Sequence, residues 1–187
     1  MKTLLRDILI TLVLAAIIFF GLQATVQKFV VDGPSMKTKF HHGQQLLVNK
    51  AVYKFLHEPE RGDVIIFHSP GNQKGDYIKR IIGLPGESVE IKEGIVYIHT
   101  ADGTVVPLDE PYIAKPARDY FKGFKIPENE YFVLGDNRNN SDDSRQGWTL
   151  PRQNIIGKAW LLIWPPDEWG LAANYPLQEQ IDSITDK

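Results

Sequence analysis

A chain of 187 residues, 43% of them hydrophobic, is long enough for one ordinary domain with its own core and a short appendage. A formal net charge of −2 gives no electrostatic reason to expect nucleic acid as a partner. The absence of cysteine excludes a disulfide framework, a thiolate metal site and a cysteine nucleophile; it leaves the redox compartment open, since exported proteins also do without disulfides.

The first element is apolar. Ile8 to Leu22 reads ILITLVLAAIIFFGL, with Thr11 its only polar residue, and Ala24 and Val26 extend it toward the ~20 residues that cross a bilayer as a helix. A buried core helix is the less favoured alternative, because the run is apolar on every face. A cleaved secretory signal would suit the length, but Ala24-Thr25-Val26 ahead of Gln27 makes a poor small-residue cleavage pattern. An uncleaved anchor over residues 7–26 is therefore expected. Lys2 and Arg6, offset in part by Asp7, precede it, so residues 1–6 are expected on the cytoplasmic side and residues 27–187 beyond the membrane.

The remainder reads as mostly β, an antiparallel sheet domain on a single N-terminal transmembrane helix. Strands are expected at Leu46–Val48, Val64–Phe67, Tyr77–Ile82, Ser88–Ile91, Ile95–His99, Tyr131–Leu134 and Ile155–Trp164. Turn signals separate them: Arg61-Gly62-Asp63, Pro70-Gly71-Asn72, Leu84-Pro85-Gly86-Glu87 and Ala101-Asp102-Gly103. Glu93-Gly94 and Asp102-Gly103 are hairpin candidates. Between about residues 100 and 130, and most clearly over Val105–Glu130, alternation is lost among prolines, lysines and aromatics, which reads as an irregular insertion. No long amphipathic helix is expected after residue 30, and the chain turns polar after Pro165-Pro166.

Three segments carry candidate chemistry. Gly33-Pro34-Ser35-Met36 lies about ten residues beyond the anchor. Gly75-Asp76-Tyr77-Ile78-Lys79-Arg80-Ile81-Ile82-Gly83-Leu84-Pro85-Gly86-Glu87 follows. The third runs from Gly135-Asp136-Asn137-Arg138 through Ser141-Asp142-Asp143-Ser144-Arg145. Strand alternation puts Tyr77, Lys79 and Ile81 on one face, so Lys79 shares its surroundings with apolar neighbours. A lysine there is costly to charge, its pKa should fall from about 10.4, and a neutral amine is what a general base needs. Taken alone, the residue better fits a stem lying along the strand with its ammonium in water. Ser35 beside Pro34 taken alone reads as a turn residue, and the third segment as a solvated loop, with Asp143 and Arg145 free to pair across it.

Together, and in this order after a single span, the three segments resemble the bacterial type I signal peptidase family. That family carries Ser-Met after its anchor, then Tyr-hydrophobic-Lys-Arg-hydrophobic-hydrophobic-Gly-hydrophobic-Pro-Gly, then Gly-Asp-Asn-x-x-x-Ser-x-Asp-Ser-Arg. Arg61-Gly62-Asp63-Val64 and Asp109-Glu110-Pro111-Tyr112 add to the likeness, which runs from about residue 5 to Pro165. The resemblance implies a membrane-bound serine endopeptidase with Ser35 as nucleophile and Lys79 as general base. It implies that Ser141 orients the lysine amine, that Asp143 and Arg145 brace the site, and that Asp136 supports the same loop. The Ser35 amide would contribute to an oxyanion hole; Gly33 stands where some members add a serine hydroxyl. Phe29, Val31, Met36, Leu46, Ile66 and Ile78 fall where the family lines two shallow pockets for small residues at −3 and −1 of exported preproteins. The implied partners are those preproteins and the lipid bilayer, not nucleic acid; no cofactor and no metal are expected.

Ser35-Met36-Lys37-Thr38-Lys39-Phe40 departs from the family's Ser-Met-x-Pro-Thr-Leu. Lys37 and Lys39 would face anionic lipid, or, if Lys39 pointed at Lys79, lower its pKa further, or sit in a solvated turn with neither effect; of the first two, lipid is the favoured reading. Rival functions remain. A Ser-His-Asp hydrolase lacks a Gly-x-Ser-x-Gly context for any of His41, His42, His57, His68 or His99. The eukaryotic and archaeal branch of the family uses His where Lys79 stands. A self-cleaving repressor of the LexA type needs a DNA-binding domain where this chain has a hydrophobic span. A catalytically dead, membrane-tethered binding module would have no use for the candidate catalytic side chains.

Overall fold

The computed structural model describes residues 2–70 and 75–185. The side chain of Lys2 and two residues of one expected turn, Gly71 and Asn72, lie outside the described residues.

Helix α1 spans Lys2–Thr25. Its stretch Leu4–Thr25, 22 residues, is long and apolar enough to cross a membrane and none of it is buried against the rest of the chain. At 1.5 Å per residue that is about 33 Å, close to the hydrocarbon thickness of a bilayer. The two hydroxyls of Leu4–Thr25 are satisfied inside the helix, Thr11 Oγ1 donating to Asp7 O at 2.9 Å and Thr25 Oγ1 to Gly21 O at 2.8 Å. Such internal bonding suits a segment with no water to turn to. Val26, placed with the anchor in the sequence reading, instead begins a strand.

The strands are β1 (Val26–Val30), β2 (Gln45–Asn49), β3 (Val64–His68), β4 (Asp76–Gly83), β5 (Ser88–Lys92), β6 (Ile95–His99), β7 (Val105–Pro107), β8 (Glu130–Leu134), β9 (Leu150–Pro151), β10 (Ile155–Trp164) and β11 (Gly170–Leu171). Helices α2 (Val52–Phe55) and α3 (Gln178–Thr185) are short. The larger sheet has the order β1-β2-β10-β3-β4-β8-β9, with β11 on β10; β5, β6 and β7 form a second sheet. Every named pairing is antiparallel.

The near-continuous apolar runs of β3 and β4 have a direct cause. Val64, Ile66 and Ile78 pack into one cluster with Val31, Met36, Phe40, Leu46 and Val48. Ile65, Phe67 and Ile81 pack into another with Val52, Tyr53, Tyr131, Val133 and Leu150. Both faces of these central strands are covered, so alternation is replaced by general apolarity.

The β5–β6 hairpin turns at Glu93-Gly94 with both φ positive, 53° and 80°, the backbone that Gly tolerates and that matches strand twist. The expected irregular insertion holds one short strand and two isolated bridges. Val105–Pro107 is a strand on β6, and Phe121 and Lys125 bridge to Ile91 and Ser88. A three-residue strand with only Val106 turned inward is too short to show a period.

Candidate active site

Ser35 lies in the connection from β1 to β2, and Lys79 lies in the middle of β4, opposite Ile65 of β3. The fold brings them together: Lys79 Nζ donates to Ser35 Oγ at 2.8 Å and to Ile78 O at 3.1 Å. Lys79 is 4% exposed, and its amine sits 5.1 Å from the centre of the Tyr77 ring. Among the described residues it has no carboxylate at ion-pair distance. Burial lowers its pKa from 10.5 to about 8, against a weaker upward pull from Asp143, Asp142 and Asp136. A neutral amine in contact with a serine hydroxyl is thus accessible in mildly alkaline water, and that arrangement activates a serine nucleophile.

The loop after β8 holds the serine. Asn137 N–H donates to Ser35 O at 2.8 Å, and Asn137 Nδ2 donates to Pro34 O at 3.1 Å. Met36, fully buried, fixes the far side of the serine and receives the Asp136 N–H on its sulfur at 3.4 Å. Gly135 allows the closest approach. A Cβ there would sit 2.2 Å from Ser141 Oγ and 2.6 Å from Ser35 O. Gly135→Ala is therefore expected to displace Ser35 and Ser141 together and reduce kcat by about 100-fold, on the scale of a 1 Å misplacement. Far-ultraviolet circular dichroism should remain native; peptide cleavage near the parental rate would contradict this packing.

The same loop is braced by ion pairs. Asp143 receives Arg145 Nε at 2.8 Å and Nη2 at 2.9 Å, and it also accepts the Gly135 N–H at 3.1 Å. Arg145 Nη2 donates to Arg138 O at 2.6 Å. Asp136, at the other end, pairs with Arg80 through Nε at 2.9 Å and Nη2 at 2.7 Å, both side chains fully buried. Arg80 comes from the strand that carries Lys79, so this pair clamps β4 and the loop to each other. It also donates to Gly62 O and Ala173 O and lies 4.1 Å from the Tyr112 ring centre. A third buried pair, Arg138–Glu110 at 2.6 Å for both contacts, ties the loop to the insertion.

An open cavity of about 870 Å³ lies over the Ser35–Lys79 contact, lined also by Phe29, Pro34, Tyr77, Ile78, Ser141, Asp142 and Trp148. Ser141 thus shares the cavity with Lys79; its Oγ is buried and has no hydrogen-bond partner among the described residues. Of the expected substrate-contacting residues, Phe29 and Ile78 line this space. Val31, Met36, Leu46 and Ile66 are at most 1% exposed and pack beneath it in one cluster with Ile78. No histidine is among the lining residues; His68 is paired with Asp76 and His42 with Asp32. No group of three His, Cys, Asp or Glu among the described residues is placed to hold a metal ion.

The departure after Ser35 has a structural counterpart. Thr38 has φ 130°, where proline, fixed near −65°, cannot sit. Its Oγ1 donates to Tyr112 O at 3.0 Å. Lys39 lies with its amine 5.9 Å from the Tyr175 ring centre and is not among the charges that shift Lys79. The reading in which Lys39 tunes Lys79 therefore has no support. The sequence does not single out Gly135, Asn137 or the Arg80–Asp136 and Arg138–Glu110 pairings.

A family model described as signal peptidase, peptidase S26, matches residues 3–164. A probable signal peptidase I-1 of Synechocystis is 38% identical over 175 residues, covering 90% of this chain and 85% of that protein. Signal peptidase I S of Bacillus subtilis is 39% identical over 152 residues, covering 75% and 78%. A crystal structure of a signal peptidase I from Enterococcus faecalis is 36% identical and covers 54% of this chain and 96% of its own, with a TM-score of 0.45.

Proposed function

This chain belongs to the peptidase S26 family of signal peptidases, serine endopeptidases that remove signal peptides, and on that premise we propose that Ser35 and Lys79 form its catalytic dyad. The observation that carries the proposal is the 2.8 Å contact between the Lys79 amine and the Ser35 hydroxyl, made by a lysine whose charge is disfavoured by burial.

In the neutral state the Lys79 nitrogen takes the Ser35 proton as Oγ attacks the scissile carbonyl carbon. The Ser35 amide stabilises the oxyanion. The C–N bond then breaks, Lys79 returns the proton to the leaving amine, and an acyl-enzyme remains. Water, deprotonated by Lys79 in turn, releases the signal peptide. The free Ser141 hydroxyl is positioned in the same cavity to orient the lysine amine, and Asp143, Arg145 and Asp136 hold the loop that presents it. Phe29 and Ile78 offer apolar walls, with Val31, Met36, Leu46 and Ile66 closing the space from below. Such closely packed ground leaves depth only for small side chains at −3 and −1, with the substrate added as an extended strand.

α1 is the membrane anchor in this reading, with the N-terminus cytoplasmic and the sheets beyond the membrane. The purified full chain in detergent should make one cut in an exported preprotein, after a residue with small side chains at −3 and −1; no cut, or many, would reject the assignment. A chain beginning at Val26 keeps all of β1. It should cleave a short soluble peptide at close to the full rate, yet lose about 100-fold on a membrane-inserted preprotein, because the anchor supplies local concentration rather than chemistry. Equal losses on both substrates would instead make α1 part of the active-site fold.

A further inference from the structure

One helical turn beside the end of α1 has features that the dyad does not use. The chain leaves α1 at Thr25, runs out along β1 and returns along β2, so that Asn49 faces Val26 and Lys50 N–H donates to Thr25 O at 2.8 Å. α2 follows at once. Asn49 Oδ1 accepts the N–H groups of Ala51 and Val52 at 3.0 and 3.1 Å, which caps the turn. Val52 and Tyr53 are buried, Tyr53 OH donates to Asp63 at 2.7 Å, and Arg152 donates to Tyr53 O at 2.6 Å.

The opposite side of this pinned turn is apolar and bare. Phe55 is 79% exposed and Leu56 75%, each more than any apolar side chain of the span, where Leu5 is highest at 71%. Single exposed apolar residues need no explanation. An adjacent Phe–Leu pair is different when its backbone is locked outward, with Leu56 N–H and His57 N–H both donating to Val52 O.

We propose that Phe55 and Leu56 form a second membrane contact, entering the boundary between headgroups and acyl chains of the leaflet from which α1 emerges. This rests on α1 being the anchor. The hydrogen bond between Lys50 and the last residue of α1 makes the turn continuous with that span. The exposed Lys28 and Lys54 and the half-buried Lys50 add cations suited to anionic headgroups. The adjacent acid, Glu58, is paired with Arg152. A single helix leaves the domain free to swivel about Thr25–Val26, whereas two contacts fix its tilt. β1 alone carries the chain about 17 Å from the span, so tilt decides how high the cavity stands above the lipid.

The chain has no cysteine, so one introduced thiol in the full chain takes an environment-sensitive fluorophore at a single place. Phe55→Cys is the test position. Leu14→Cys, inside the span, and Tyr120→Cys, in the insertion and 63% exposed there, are the references. In vesicles of phosphatidylcholine and phosphatidylglycerol carrying spin-labelled acyl chains, the label at 55 should shift to the blue and be quenched at least half as strongly as the label at 14. The label at 120 should not be quenched. Quenching at 14 with a label at 55 that behaves like the one at 120 overturns the contact and leaves the anchor standing. No quenching at 14 overturns both. As a second readout, Phe55→Ser with Leu56→Ser should slow cleavage of a membrane-inserted preprotein several-fold and leave a soluble peptide unaffected. Equal slowing on both would make the turn a folding element and reject the contact.

Discussion

Ser35→Ala and Lys79→Met should each reduce kcat by about 10⁴- to 10⁶-fold, because nucleophile and base act as one unit and removing either costs nearly as much as removing both. The two variants should part company in stability. Lys79 titrates near 8 in the folded chain and near 10.5 when exposed. Between those values the unfolded chain binds more protons than the folded one, so stability falls as pH drops through that window and the whole cost is present below 8. The difference corresponds to about 3 kcal/mol. Methionine keeps the length of the stem and has no charge to bury. Lys79→Met should therefore be more stable than the parent near neutral pH, with the advantage fading in strongly alkaline buffer. Ser35→Ala should show no such pH-dependent gain. Urea midpoints at the two pH extremes measure this; a Lys79→Met chain that is inactive and also less stable at neutral pH would mean that the lysine is buried with its charge compensated.

Breaking the Arg80–Asp136 pair should have the largest effect on the fold itself. Both side chains are fully buried and doubly hydrogen-bonded, so removing one leaves the other charged and uncompensated. Arg80→Met or Asp136→Ala is expected to cost about 3–5 kcal/mol, a large part of the stability of a domain this size. The double variant should cost less than the sum, because no lone charge remains. Activity should fall further than unfolding explains, since the pair ties the base strand to the loop that holds Ser35. Additive losses in the double variant would show that the two groups do not act on each other.

The candidate site was legible in the order and combination of three segments rather than in any single residue. A lysine within an apolar strand, a serine after a span and an acid–base–serine loop were legible, and the structure places Ser35, Lys79 and Ser141 around one cavity. The strands were legible where one or both faces are buried over five or more residues, as in β3 and β4. Val105–Pro107 was not, because its partner on β6 rather than its own pattern makes it a strand. The clamps were also out of reach: Arg80 finds Asp136 across 56 positions and Arg138 finds Glu110 across 28, distances at which charge alone does not name a partner. Gly135 reads as an ordinary turn residue until Ser35 O and Ser141 Oγ are seen to crowd the space its missing Cβ leaves.

Catalysis by the proposed dyad requires Lys79 to be neutral when it takes the Ser35 proton. The direct test is the pH dependence of kcat/KM on a short soluble peptide, which needs no membrane and reports the free enzyme's ionisations. Activity should rise with pH along an acid limb with its midpoint near 8, where burial places the Lys79 amine, and should persist into the alkaline range. A limb near the ordinary histidine value of about 6.5, or near the unshifted lysine value of about 10.4, would contradict it.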